Sequence, residues 1–304
     1  MLKTRSKEQK ETEIVMKLRQ VGEKTYYIEH KTNIGVYVTG QNKVCLIDTG
    51  SKGDGEKIDE IIEEKGWEIE YIINTHTHID HLGGNEYLMK KYRIPAYCTD
   101  YDMAFAHYSD LEAAYMNGGF PCRKLRTVFS HPGMIGFRSV EKNHLEGIDW
   151  VYLPGHTFGM IGVKTSDDIW FPADAYLGRH LLENHSFGYL YDVEGYLNTL
   201  EKVKNLKGKM FIPAHGEAET DISEITEMNR RNIENIKAMV KEICRDYISM
   251  DSILKTMYER LGMRATAPQH ALLSSTTKSY IGYLQDRNEL ECRFIDNVMT
   301  WKTM

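Results

Sequence analysis

The chain has 304 residues, 41% hydrophobic and 27% charged, enough apolar mass for a large buried core. Its net charge of −6 argues against a protein whose main task is gripping nucleic acid. No apolar run approaches the roughly 18 residues that a membrane span needs. The five cysteines, Cys45, Cys98, Cys122, Cys244 and Cys292, are scattered and never form a C-x-x-C pair. Neither a disulfide framework nor a zinc ribbon is indicated, and a reduced, cytoplasmic location is expected. The start, Met1 to Lys10, is polar and charged, unlike a signal peptide.

After a charged tail over residues 1–12, strand-like runs follow at Glu13–Val21, Thr25–Glu29, Gly35–Thr39 and Lys43–Asp48. Ile58, Ile61 and Ile62 fall at helical spacing and predict a helix over Glu56–Lys65. A strand at Ile69–Asn74, a helix near Asn85–Lys91, a strand at Arg93–Cys98 and one helix over Tyr101–Met116 come next. The Met-rich and aromatic run Tyr101–Tyr115 reads as a packed helix face, with a lid as the alternative. A second β-rich set follows at Asp149–Leu153, Gly159–Lys164 and Asp168–Pro172, then a helix over Val193–Lys204 and a short strand at Lys209–Ile212. Two β-rich halves with helices between them predict two sheets packed together under outer helices.

The pattern changes near Glu217. Apolar residues at three- and four-residue steps, Ile222, Ile225, Met228, Ile233, Ile236, Val240 and Ile243, predict a helical extension over residues 217–304. Two further helices are expected over Asp251–Leu261 and Gln269–Gln285, and a hairpin over Glu289–Trp301 turning at Asp296-Asn297. Three helices closed by a hairpin is the outline of a winged-helix unit. Bases such as Lys237, Lys241, Arg260 and Arg293 alternate with acids such as Glu234, Glu242, Glu289 and Glu291, as on an ordinary solvated surface. The extension is expected to wall the pocket or to contact a second copy in a homodimer; nucleic-acid or protein binding is the alternative.

The chemistry is concentrated in Thr75-His76-Thr77-His78-Ile79-Asp80-His81-Leu82-Gly83-Gly84. Side chains two apart on an extended segment point the same way, so His76 and His78 can grip one ion together. Asp80 and His81 can face a second ion after a turn, and the two glycines are expected to let the backbone bend into the next helix. Three more strand ends each present a ligand type: His156 in Leu153-Pro154-Gly155-His156-Thr157, Asp174 in Pro172-Ala173-Asp174, and His215 in Pro213-Ala214-His215-Gly216.

Over residues 35–216 these motifs, with Leu46-Ile47-Asp48-Thr49-Gly50 upstream, resemble the metallo-β-lactamase superfamily. The resemblance implies an α+β fold, an αβ/βα sandwich over residues 13–216 with a metal pair at one edge. It further implies that His76, His78 and His156 hold one metal, that Asp80, His81 and His215 hold the other, and that Asp174 bridges them. Asp48 reads as a structural carboxylate. An aspartate at 174, where β-lactamases of the best-known subclass carry cysteine, argues against antibiotic hydrolysis. It points to the branch that resembles glyoxalase II, lactonases and phosphodiesterases. His78, where the family's diiron flavoproteins place glutamate, argues against electron transfer.

The implied activity is hydrolysis of a small ester, thioester, lactone or phosphodiester by a hydroxide shared between two zinc ions, with iron or manganese as other candidates. A mononuclear iron sulfur dioxygenase is the alternative enzyme. Asp80 is expected to relay a proton and Tyr176 to donate to a developing oxyanion. Arg179, His180 and His185 are expected to contact an anionic part of the substrate.

Overall fold

Successive side chains of a strand leave on opposite faces, and here both faces are apolar. The computed structural model describes residues 16–304 apart from 109, 132, 185 and 186. Strands β1 (Lys17–Gln20), β2 (Thr25–Glu29), β3 (Ile34–Gly40), β4 (Lys43–Ile47), β5 (Glu68–Ile73), β6 (Ala96–Cys98) and β7 (Phe137–Ser139) form one sheet in that order. The first four pair antiparallel through short turns. From β4 onward the pairing is parallel, and parallel neighbours need long crossovers. These contain α1 (Asp54–Glu64), then α2 (Ile79–Leu82) and α3 (Asn85–Tyr92), then α4 (Asp100–His107), α5 (Leu111–Asn117) and α6 (Arg123–Phe129).

The second sheet comprises β8 (Ile148–Tyr152), β9 (Ile161–Thr165), β10 (Ile169–Phe171) and β11 (Met210–Phe211), in the order β11-β10-β9-β8. Between β10 and β11 lie α7 (Arg179–Asn184) and α8 (Val193–Lys204). Alternation assigns the layers. Val44, Leu46 and Ile72 pack with Ile58 and Ile62 of α1 and Leu88 of α3. Their neighbours Cys45, Ile47 and Ile73 face Ile161, Val163, Ile169 and Phe171 of the second sheet. Trp170 turns outward to meet Leu200 and Val203 of α8. This is the expected αβ/βα sandwich.

The C-terminal region is mostly helical and ends in a hairpin, as expected. It runs α9 (Ser223–Ile243), β12 (Ile248–Ser249), α10 (Met250–Leu261), α11 (Ala267–Asp286), β13 (Leu290–Ile295) and β14 (Val298–Thr303). β12 pairs with β14 to give the order β12-β14-β13. Asp296 and Asn297 both take positive φ, 50° and 63°, as a two-residue type I′ hairpin turn requires. One buried apolar cluster runs from Trp170 through Ile225 and Ile236 of α9 to Leu284 and Trp301. The interleaved charges pair with each other: Lys237 with Glu234, Lys241 with Glu289, Arg260 with Glu242 and Arg293 with Glu291. Among the described residues no helix is long and apolar enough to cross a membrane.

Three expectations change. The single helix over Tyr101–Met116 is two, because Tyr108 takes extended backbone (φ −110°, ψ 93°) after α4. Helix α7 and strand β12, too short to show a period, were not anticipated. Gly83 and Gly84 are not bending points, since both have right-handed helical φ and ψ. They are small because another strand of chain passes against them: a Cβ on Gly83 would lie 2.2 Å from the Ser51 carbonyl carbon, and one on Gly84 2.7 Å from the Thr49 oxygen. That close approach brings the loop after β4 against the loop after β5.

Candidate metal centre

Four chain segments at the same edge of the two sheets deliver the polar side chains. β5 ends at Ile73, and the next residues stay extended, tied by Asn74 N–H to the Tyr97 carbonyl and by Ile161 N–H to the Thr75 carbonyl. His78 then caps α2, so His81 swings back toward His76, and their ring centroids lie 3.9 Å apart. His156 follows Gly155, whose φ of 117° and close approach to the Tyr196 backbone nitrogen, 2.2 Å for a built Cβ, leave room only for glycine. Asp174 and His215 sit on loops joined by Ala214 N–H to the Ala173 carbonyl. The Asn33 amide holds the latter loop through the Pro213 and Gly216 carbonyls, each at 2.8 Å.

All seven residues named from the sequence converge, in two sets: His76, His78, His156 and Asp174, and then Asp80, His81 and His215. In the first, His78 Nδ1 lies 3.1 Å from His76 Nε2 and 3.0 Å from His156 Nε2. Asp174 Oδ2 lies 3.1 Å from His156 Nε2 and 4.0 Å from His76 Nε2. In the second, Asp80 Oδ2 is 3.2 Å from His215 Nε2 and 4.0 Å from His81 Nε2. Asp174 faces this set too, Oδ2 at 3.6 Å from His81 Nε2 and Oδ1 at 3.6 Å from His215 Nε2.

The outer ring nitrogens reveal which inner atoms carry lone pairs. The His81, His156 and His215 Nδ1 atoms lie 2.9, 3.1 and 2.9 Å from the Asp48 carboxylate and the Tyr189 and Lys31 carbonyls. Those partners only accept, so each Nδ1 carries a proton and Nε2 is the ring atom left to meet an ion. The Thr75 hydroxyl donates to Asp48 at 2.7 Å and so accepts from His76 Nδ1 at 3.2 Å.

Such crowding of ligand atoms about 3 Å apart is relieved when a cation lies between them. Tetrahedral bonds of about 2.0–2.1 Å would place neighbouring ligand atoms roughly 3.3 Å apart, within the spread observed. Buried His81 Nε2 and Asp174 Oδ1 have no hydrogen-bond partner, which buried polar atoms rarely tolerate. The residues fit a pair of divalent ions.

The profile of the metallo-beta-lactamase superfamily matches residues 28–215, a span that contains all seven residues. The chain belongs to the metallo-β-lactamase superfamily. It is similar to the lactamase-like protein adaB of Aspergillus niger, 25% identical over 218 residues, 70% of this chain and 57% of that protein. The chain thus spans less than two thirds of that relative's length. The probable metallo-hydrolase YqgX of Bacillus subtilis is 28% identical over 189 residues, 59% of this chain and 82% of its own. A β-lactamase domain protein from Burkholderia ambifaria shares the fold at a TM-score of 0.73 and 15% identity. That match covers 94% of each chain, so it includes the C-terminal helices.

Electrostatics divides this metallo-β-lactamase fold site. Burial, then neighbouring imidazoles, push His76 well below the ordinary histidine range and His78 down to about 3. Burial acts the same way on His81 and His215, but Asp174 foremost overrides it. His81 ends well above its ordinary value and His215 at about 9. Burial alone would raise Asp174; His215 and His81 instead hold it well below the usual carboxylate range.

A pH dependence follows. An unfolded histidine titrates near 6.5, so in chelated protein the stabilisation from His81 and His215 is complete below about pH 6.5. It is lost as pH rises through their folded values, about 9 for His215. Ion binding has the opposite sign, because it requires deprotonated imidazoles. The melting temperature of chelated protein is expected to fall between about pH 6.5 and 9 while that of metal-loaded protein holds or rises. Parallel slopes would show that these histidines do not meet an ion.

The expected substrate residues do not gather here. Tyr176 is 1% exposed, packed in the core cluster with residues of α8 and α9, and its hydroxyl has no hydrogen-bond partner. That is the placement of a core side chain rather than of an oxyanion donor. Arg179 pairs with Glu224 at 3.0 Å on the surface, His180 is exposed, and His185 lies outside the described residues.

Glu112 of α5 was missed. It is 5% exposed, its Oε1 lies 3.9 Å from His78 Nε2, and its Oε2 has no hydrogen-bond partner. Burial, then Asp80 and Asp102, raise its acid well above the ordinary value. The only signal was a lone acid in the apolar turn Leu111-Glu112-Ala113-Ala114. The aromatic run beside it does more than pack, since Tyr101, Phe105 and Tyr115 line a pocket against His78.

Proposed function

We propose that the chain is a hydrolase that holds two zinc ions, one on His76, His78 and His156 and one on Asp80, His81 and His215, with Asp174 shared between them. Its substrate is a small ester, thioester, lactone or phosphodiester. The observation that carries the reading is the position of Asp174, one buried carboxylate facing the inner nitrogens of both sets. The YqgX relative, a probable metallo-hydrolase, supports the same reaction class. When bound, two such ions polarise a substrate oxygen and lower the pKa of a shared water to about 7.

The chain's own residues then order the reaction. Asp80 is the most open of the seven donors, its side chain 38% exposed against 7% for Asp174. Burial would raise its carboxyl, but His81 and the His215 hydrogen bond hold it below the usual range. It is therefore ionised at neutral pH and able to take a proton. The attacking water gives one proton to the Asp80 carboxylate as its oxygen bonds to the carbonyl or phosphoryl centre. The bond to the leaving group breaks, and the proton held by Asp80 passes to that group.

Asp80→Asn keeps an oxygen for a metal and removes the proton acceptor. It is expected to lower kcat by about a hundredfold or more while the protein retains more than half of its metal. Equal proportional losses of turnover and metal would contradict the relay.

A further inference from the structure

Beside His78 lies a pocket walled by the rings of Tyr101, Phe105, Tyr115, Phe158 and Tyr189. The walls brace one another. Tyr189 donates its hydroxyl hydrogen to Tyr115 at 2.9 Å, and the Phe158 ring lies 5.3 Å from Tyr115 and 5.8 Å from Phe105. The far end is propped by the C-terminal helix, where Leu190 N–H donates to Thr276 of α11.

Two polar atoms in this lining have no hydrogen-bond partner, Glu112 Oε2 and Thr157 Oγ1, and both are buried. A buried carboxyl and hydroxyl left unpaired cost stability, so their presence together in one apolar slot points to a ligand that pairs with them. Among the described residues the lining contains no lysine or arginine, and its other acid is Asp102. An anionic group would meet two acids there and no basic side chain among the described lining residues. The slot is narrow, leaving about 20 Å³ for the centres of water-sized molecules, which favours a narrow, flat group over a bulky one.

Resting on the hydrolytic reading above, we infer that this pocket is the acyl-group subsite. It takes a short, flat, uncharged acyl group with a neutral hydrogen-bonding heteroatom, which Glu112 and Thr157 bind. The rings stack on the group's faces, with Tyr101, 60% exposed, at the rim.

Phenyl esters of crotonic, fumaramic and monofumaric acid test this with one trans-planar frame ending in methyl, amide or carboxylate. Metal-loaded protein is expected to hydrolyse the crotonyl and fumaramoyl esters with kcat/KM at least about tenfold above the fumaroyl ester, with fumaramoyl the best. A loss of an unsatisfied partner of this kind is worth roughly tenfold. Glu112→Leu, which replaces an unpaired buried acid with an apolar side chain, should fold and erase the amide's advantage over methyl; Thr157→Val should reduce it. Fumaramide titrated into metal-loaded protein, followed by calorimetry, should bind at least about tenfold more weakly to Glu112→Leu. Equal turnover of the three esters, or equal fumaramide binding by both proteins, would overturn the subsite. If no ester is turned over while fumaramide binding still depends on Glu112, the subsite stands and the hydrolytic reading fails.

Discussion

Asp174→Ala is expected to reduce bound metal from about two ions per chain to one or fewer and to cut turnover at least about a thousandfold, roughly 4 kcal/mol of barrier. Among the seven donors Asp174 is the carboxylate that faces both sets, 3.1 Å from His156 and 3.6 Å from His81 and His215. Alanine leaves the inner nitrogens in place and removes the negative charge that compensates the cations. Neither set then has more than three donors, and nothing fixes the distance between the ions. Elemental analysis and steady-state kinetics on the same preparation check the two effects together. Two retained ions with turnover within tenfold of the parent would remove Asp174 from its shared role.

The second large effect is expected at a residue that touches no ion. Asp48 accepts from Thr75 N–H at 2.8 Å, from the Thr75 hydroxyl at 2.7 Å and from His81 Nδ1 at 2.9 Å. Through them it sets the tautomer of His81 directly and that of His76 through Thr75. Asp48→Ala strands three buried donors at about 1–3 kcal/mol each before relaxation, and it frees His81 to place its proton on the inner nitrogen. Metal affinity should fall by about 10- to 100-fold, with a clear drop in melting temperature. Asp48→Asn should sit between the two, since its oxygen can still accept from Thr75 N–H while its NH₂ opposes the other donors. Chelator competition and thermal melts measure both. Unchanged affinity in Asp48→Ala would show that the His81 tautomer is held by something else.

The donor set was legible because each member follows an apolar strand, and strands ending at one sheet edge bring their next residues together. The H-x-H-x-D-H spacing carried its own geometry: two residues along extended chain for His76 and His78, one helical turn for His81. The pocket was not legible. Glu112 reaches His78 only because α5 packs under α11, through the cluster of Ala113, Leu125, Phe129 and Ala271, and no local pattern reports a contact that distant in the chain. The same limit explains Gly83, where φ is unremarkable and the constraint is the backbone of Ser51. The break at Tyr108 was hidden because apolar residues recur at helical spacing on both sides of it. Tyr176 misled for a related reason: it stands two residues after Asp174, but its ring turns into the core shared with α9.

Metal identity and stoichiometry in the purified protein test the two-ion site most directly. Elemental analysis is expected to find about two zinc atoms per chain, with anomalous difference density at both donor sets in crystals of the same preparation. A single iron per chain, seated on His76, His78 and His156 and accompanied by oxygen uptake with a persulfide or thiol substrate, would contradict the binuclear hydrolase and favour a dioxygenase.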